Sequence, residues 1–235
     1  MKETQVFTIL TRELSTEDLY LFYSHLDARE KQKALRFRLQ RDCDSYVAVH
    51  GLLRMILGSR LEIPPRSVSL EYNRYGKPML ISDRAPLYFS LSHSRDISIV
   101  ALTSNGEVGA DIEYIDPEFD FREISSAFFV KEENEYIDHG RPGDRERFYR
   151  LWTRKEALLK AIGTGLSGDL AVNVTGDSVS PEHFRDVANP RIPSRFLLNS
   201  AGFRDQYMIT VASGESCNLS EARIIAKAFT ELITY

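Results

Sequence analysis

The sequence predicts an α+β protein of two similar halves, and three observations carry that prediction. Apolar residues recur at helical spacing through the first part of the chain. The middle then changes to short runs rich in apolar and β-branched residues. Helical and strand-like segments mix again beyond it, so that each half holds helices plus about three strands, meeting near Asn105. There is no strict sequence repeat.

Val6 to Leu10 reads as the first strand. Ser15 and Thr16 offer helix N-caps, and Asp18 completes an imperfect capping box from Ser15. Leu19, Phe22, Tyr23 and Leu26 follow at helical spacing. Asp27 caps a second helix, with Glu30 three residues on, and that helix carries Arg29, Lys31, Lys33 and Arg36. A third helix is expected from about Ser45 to Leu61. Its buried stripe is Val49, Leu52, Leu53, Ile56 and Leu57, and Pro64 and Pro65 end it. Leu87 to Leu91, Ile97 to Thr103 and Val108 to Ile115 read as an antiparallel three-stranded meander, with Asn105-Gly106 as the hairpin signal between the last two. Helices are expected at about Ser125 to Phe129 and from Arg145 to Ile162, the second stopped by Gly163 and Gly165. Ala171 to Val174, Phe196 to Leu198 and Tyr207 to Ala212 look like strands. Asp177 to Ser194 reads as an irregular connection, and Ser220 caps a final helix containing Ile224, Ile225, Ala228 and Leu232.

Composition narrows the function classes. The balance of 30 basic against 34 acidic residues, a net charge of −4, disfavours a strongly basic nucleic-acid binder. Glycine and proline are scattered without period, which excludes collagen-like and long disordered tracts. No apolar run reaches the roughly 18 residues that would span a bilayer, and Met1 to Leu14 has no apolar leader core. Cys43 and Cys217 match no metal or redox spacing and fit reduced thiols. The expectation is a cytoplasmic protein with neither nucleic acid nor membrane as partner.

Four motifs carry chemistry. In Val108-Gly-Ala-Asp111-Ile-Glu113-Tyr, strand alternation puts Asp111 and Glu113 on one face, where two like charges repel unless a cation separates them. Hard oxygen ligands of this kind suit Mg²⁺, although an Asp-x-Glu taken alone reads more readily as a solvated strand edge. In Trp152-Thr-Arg-Lys155-Glu156-Ala-Leu-Leu-Lys160-Ala-Ile-Gly163, helical spacing brings Trp152, Glu156, Lys160 and Gly163 to one side. Glu156 is then a third acid or a base, with Lys155 and Lys160 facing anionic groups, against the plainer reading of an i,i+4 ion pair. Phe89-Ser-Leu-Ser92-His93-Ser94 sets hydroxyls around one imidazole, suited to phosphate contacts or to a turn. Tyr75-Gly76-Lys77-Pro78 places a lysine in a tight turn without the rest of a P-loop. The Arg29 to Arg41 stretch is a solvated basic face or a phosphate site.

The order and spacing of these motifs, with Phe128-Phe-x-x-x-Glu133 between them and Gly163-x-Gly165-Leu166 after them, closely resembles the Sfp-type 4′-phosphopantetheinyl transferases. The resemblance runs from about Arg29 to Leu166. It implies a pseudo-dimer of two α+β halves, 1–104 carrying coenzyme A contacts and 105–235 the metal and catalytic motifs, acting as a monomer with the site in the cleft. The implied reaction transfers the phosphopantetheine arm of coenzyme A to a serine of an apo-acyl or peptidyl carrier protein, releasing adenosine 3′,5′-bisphosphate. Carried over residue by residue, Asp111, Glu113 and Glu156 match the Mg²⁺ ligands, Glu156 doubles as the base, and Lys160 stabilises the leaving group. Lys155 and Lys160 match positions near the pyrophosphate. Lys77, Ser92 and His93 match coenzyme A contacts, with His93 near the 3′-phosphate. Lys33 falls where the family places a phosphate-binding lysine, while Glu30 stands where another would be, leaving Lys31 and Arg36 as substitutes. Ala110 replaces the Val or Ile common before the Asp. The rival reading on the same fold is a catalytically silent coenzyme A- or nucleotide-binding regulatory protein.

Overall fold

Two four-stranded sheets share the chain, and their inner edges meet at the motifs singled out above. In the computed structural model, residues 3–84, 86–165, 171–180, 193–219 and 223–224 are described. Strand β1 (Gln5–Leu10) leads into helix α1 (Thr16–His25), which opens with the expected reciprocal capping box between Ser15 and Asp18. Helix α2 (Ala28–Ala34) opens on the same device, Asp27 with Glu30. It ends before Arg36, which therefore lies outside it. Helix α3 (Gln40–Leu61) starts five residues earlier than expected; the Gln40 amide donates to Asp44 (2.7 Å) across its first turn, which helps to seat that extra turn.

A small hairpin, β2 (Leu70–Tyr72) with β3 (Pro78–Leu80), precedes β4 (Tyr88–Ser94) and β5 (Ile97–Thr103). These are followed by β6 (Gly109–Tyr114), α4 (Arg122–Phe128), α5 (Lys131–Ile137), α6 (Asp144–Ile162), β7 (Ser178–Val179), β8 (Phe196–Phe203), β9 (Tyr207–Ser213) and β10 (Arg223–Ile224). The first large sheet has the order β10-β1-β5-β4 and the second β6-β9-β8-β7. Helices α1 and α3 cover the first sheet, and α6 lies on the second. Between the sheets is a third apolar cluster that includes Ile97, Ile99, Ala110, Ile112, Ile209 and Val211. The α+β architecture of two sheet-and-helix halves is thus observed.

The three-stranded meander is not. β4 and β5 form a hairpin, but β6 pairs antiparallel with β9, Asp111 opposite Thr210, and takes no backbone bonds from β5. Asn105-Gly106 is the crossing between the sheets; Gly106 still needs its φ of +98°, but for a turn that leaves the sheet. Periodicity reports which face of a strand is buried and is silent on its partner, so a turn signal flanked by apolar runs predicted the nearer partner. A helix at Lys131–Ile137 was also hidden, because its N-cap is Val130; the Glu133 carboxylate caps from inside, accepting the Val130 N–H at 2.9 Å. Ala171 to Val174 is irregular rather than a strand. Its backbone is satisfied by side chains, with Val174 N–H donating to Glu133 and the Val172 and Val174 carbonyls accepting from Lys155 and Arg154. The helix expected after Ser220 lies largely outside the described residues; where it is described, Arg223–Ile224 runs as strand parallel to β1. Leu166 and residues 181–192 of the expected connection also lie outside them.

Edge strands β4 and β6 lie side by side without a backbone ladder, joined by hydroxyls. Ser90 Oγ accepts the Ala110 N–H (3.0 Å), Ser92 Oγ donates to Asp111 Oδ1 (2.8 Å), and Ser94 Oγ donates to Glu113 Oε2 (2.8 Å) while accepting the Tyr114 N–H (3.0 Å). Alternation puts these three serines on one side of β4, and each meets the next residue pair of β6. On the other side of β6, Gly109 admits α6. A Cβ there would collide with the Ala157 carbonyl and reach 2.5 Å from the Ala161 nitrogen. The helix can therefore lie flush on the strand, with Glu156 and Lys160 beside Asp111.

Candidate active site

A cavity of about 570 Å³ opens along this seam, lined from both halves. Of the nine residues expected to form the site, Lys33, Lys77, Ser92, His93, Asp111, Glu113, Glu156 and Lys160 line it, and Lys155 does not.

The acids come together as alternation and helical spacing required. Asp111 is buried, its Oδ1 accepting from Lys160 Nζ (2.7 Å) and Ser92 Oγ (2.8 Å), while its Oδ2 is buried with no hydrogen-bond partner. Burial lifts the Glu113 carboxyl to about 7, helped by the Asp111 charge two residues away. Glu156 is lifted for the same two reasons, with Lys160 pulling against them. Three carboxyls with an orphaned oxygen and mutual repulsion are the chemistry of a hard-cation site. As they stand they do not converge on one point: among the described residues no group of three or more His, Cys, Asp or Glu side chains is placed to hold a metal ion.

The raised Glu113 has a stability consequence with a definite sign. Unfolded, the carboxyl releases its proton near 4.5; folded, it holds it to about 7. Between those values the folded state binds the extra proton, so stability without divalent cation falls as pH rises from about 4.5 through about 7. Thermal midpoints in chelator across that window should fall, and Glu113→Gln should flatten the slope. An unchanged slope in the variant would remove Glu113 as its source.

Two lysines depart from expectation. Lys155 is 2% exposed and ion-paired with the fully buried Glu133 at 2.8 Å, with a further bond to the Val172 carbonyl. Facing into the second half, it does not meet anionic groups in the cavity. On α6 it points away from the face that holds Glu156 and Lys160, because adjacent helical residues lie about 100° apart. Lys77 does line the cavity, yet its ammonium is committed to Glu107 (2.5 Å) and the Ala161 carbonyl (2.9 Å), and burial holds its pKa low. Its turn is a clamp between the halves. Asn73 accepts the Tyr75 and Lys77 N–H groups and donates to the Gly163 carbonyl (2.7 Å). Gly163 (φ +82°) is in the left-handed region, and a Cβ there would come 2.9 Å from Asn73 Nδ2.

Ser92 is buried between Asp111 and Lys160, accepting from the lysine at 2.9 Å. His93 points the other way along β4, to the exposed rim. Desolvation against the wall and then Lys160 push its pKa down, with Lys33 and His50 adding to this and Asp42 opposing it. Lys33 Nζ lies 5.1 Å over the Tyr46 ring. Sequence reasoning missed Tyr46, His50 and Tyr72, which also line the cavity. Tyr46, Val49, His50 and Leu53 fall at helical spacing on α3, and spacing alone does not separate a cavity-lining histidine from the apolar residues beside it.

Comparison with known proteins agrees with this geometry. The model described as 4′-phosphopantetheinyl transferase, N-terminal, matches residues 13–105, and that of the 4′-phosphopantetheinyl transferase superfamily matches 107–212. The 4′-phosphopantetheinyl transferase HetI of Nostoc sp. is 35% identical over 147 residues, 60% of this chain and 61% of its own length. The 4′-phosphopantetheinyl transferase gsp of Aneurinibacillus migulanus is 37% identical over 153 residues, 63% of this chain and 61% of its own. The AcpT transferase of Salmonella typhimurium is 40% identical over 111 residues, covering 47% of this chain and 56% of its own. The chain thus aligns with less than two thirds of each of these three relatives. The two family models abut at Gly106, on the crossing between the sheets, and the chain belongs to the 4′-phosphopantetheinyl transferase superfamily.

Proposed function

We propose that this protein transfers the 4′-phosphopantetheine arm of coenzyme A to a serine of an apo-carrier protein, releasing adenosine 3′,5′-bisphosphate. The observation that carries the reading is the Asp111–Ser92–Lys160 cluster, with Glu113 and Glu156 beside it, in a cleft lined from both halves. Residues 1–104 supply the donor contacts and 105–235 the acids and Lys160. Asp111, Glu113 and Glu156 would hold Mg²⁺, and the buried, unpartnered Oδ2 of Asp111 fits that role. When bound, the ion supplies charge neutralisation at the pyrophosphate. The carrier serine oxygen attacks the phosphorus bearing the pantetheine arm, and the bond to the bridging oxygen breaks. Glu156, its pKa raised by burial and by the Asp111 charge, takes the serine proton, and Lys160 stabilises the departing phosphate. Lys33 and His93 contact the donor, whereas Lys77 acts through the clamp it builds.

Because both sides of the cleft come from one chain, this reading has the protein acting as a monomer. Among the described residues no helix is long and apolar enough to cross a membrane, in keeping with a cytoplasmic setting. The carrier docks beside α4. Phe119, Phe128 and Tyr136 are exposed there, and Phe128 packs edge-on against Trp152 (6.3 Å), which lines the cavity. An apolar dock of this kind suits a protein of net charge −4 that cannot attract acidic carriers at long range. Phe128→Glu should raise the KM for carrier about tenfold or more, with the KM for coenzyme A within twofold. An unchanged carrier KM moves the dock elsewhere.

The direct test mixes the protein with coenzyme A, Mg²⁺ and apo-carrier proteins and reads intact carrier mass. Addition of the phosphopantetheine arm is expected. Tight coenzyme A binding with no mass shift on several carriers would favour the silent-binder alternative.

A further inference from the structure

The cavity holds a histidine that the transfer reading leaves unused. His50, on α3, is 8% exposed, and its Nδ1 lies 3.0 Å from Oε1 of Glu30, a carboxylate with no exposed surface. Glu30 is fixed in turn: Arg54 Nε donates to its Oε2 at 2.6 Å and the Asp27 N–H at 3.0 Å. The Tyr46 ring lies against the imidazole, centroids 4.1 Å apart. A ring anchored at one nitrogen and along one face has a single polar atom left to offer, Nε2. Among the described residues that atom is not a sealed orphan in the core, and the residue lines the cavity.

Its surroundings favour an anion. Lys33 and His93 line the same cavity, and the Lys33 ammonium lies close enough to bear on the His93 ring. The nearby acids of this region, Glu30 and Asp42, do not line it. A carboxylate behind the ring fixes its orientation and offsets the charge of a protonated ring, the form in which Nε2 donates outward. A core-filling histidine needs no such backing, and a neutral apolar side chain would pack on Tyr46 as well.

We propose that His50, oriented by Glu30, recognises a terminal phosphate monoester of the donor, its Nε2 donating to the 3′-phosphate of coenzyme A beside Lys33 and His93. The proposal rests on the transfer reading above. Coenzyme A carries two separate anionic groups; its pyrophosphate belongs with Lys160 and the acids, and the 3′-phosphate needs a second basic group within the same cavity. In the complex both ring nitrogens donate, Nδ1 to Glu30 and Nε2 to phosphate.

The test compares two donors that differ only in that phosphate. For wild type and His50→Gln, kcat/KM is measured with coenzyme A and with 3′-dephospho-coenzyme A. The preference for coenzyme A should fall about tenfold in the variant, mainly through KM, as expected for loss of one charge-assisted hydrogen bond. Equal losses on both donors would mark His50 as merely structural and overturn the proposal. Calorimetric binding of adenosine 3′,5′-bisphosphate against adenosine 5′-monophosphate reads the same discrimination without turnover. The proposal can therefore fail while transfer stands, or survive while transfer fails. A wild-type arm removes dependence on the variant's folding: diethylpyrocarbonate labelling of His50, read by peptide mass, should be suppressed by the bisphosphate and not by the monophosphate. Equal protection by both nucleotides would also overturn it.

Discussion

Asp111→Asn lowers transfer of the phosphopantetheine arm about thousandfold while the protein stays folded. The swap is nearly isosteric. The Asn oxygen still accepts from Ser92 and Lys160, as Asp111 Oδ1 does at 2.8 and 2.7 Å. What changes is the other atom. The buried Oδ2, which has no partner, becomes an NH₂ group that donates and cannot hold a cation. Loss of one preorganised electrostatic contact costs on the order of 10²–10³ in rate, and here the charge goes as well. The same substitution removes a neighbour that lifts both Glu113 and Glu156, so both carboxyls should titrate lower. Carboxyl-carbon NMR titration reads that directly, and intact carrier mass reads transfer. Near-normal transfer by Asp111→Asn would sink the assignment of this carboxylate, whereas lost transfer with unshifted Glu113 and Glu156 would show that the three acids do not share one field.

What the chain disclosed about this site, and what it hid, follows one physical division. Alternation and helical spacing state which residues share a face, so Asp111 with Glu113, and Glu156 with Lys160, were legible before any fold was known. The caps at Ser15 and Asp27 were legible for a related reason, since a cap satisfies donors within its own turn. Partnership across sequence distance is not written locally. Asn105-Gly106 gave a true turn signal and the wrong partner for β6, because the strand that completes the pair begins at Tyr207. Ser90, Ser92 and Ser94 read as hydroxyls around a histidine; only when β4 meets β6 does each find its place there. Lys155 shows the same gap, since its ion pair with Glu133 is made across sequence distance. A lysine next to a catalytic glutamate reads as a phosphate contact until Glu133, from another helix, claims it.

Arg54→Met should cost about 3–5 kcal/mol of stability, the range for breaking a buried ion pair from one side. Arg54 has no exposed side-chain surface. Its Nε donates to Glu30 Oε2 (2.6 Å), one Nη to Asp27 Oδ2 (2.6 Å) and the other to the Val68 carbonyl (2.9 Å). Methionine fills much of the volume and supplies none of these donors, leaving the fully buried Glu30 charged with only His50 and the Asp27 N–H. Burial alone would raise the Glu30 pKa; in the intact network the His50 and Asp27 bonds and the Arg54 charge outweigh it and hold the carboxyl below 4.5. That contribution is therefore present above about pH 4.5 and fades as pH falls through the folded value. Without Arg54 the balance shifts toward desolvation, and the variant should regain part of its lost stability on mild acidification, when Glu30 takes a proton. Urea unfolding of both proteins at pH 7 and pH 5 measures the effect and its sign. Glu30→Met combined with Arg54→Met should be less destabilised than the two single costs added together, since no unpaired charge is left inside. Additive costs, or an Arg54→Met protein as stable as wild type, would show that the network does not hold the α2–α3 corner, and with it His50, in place.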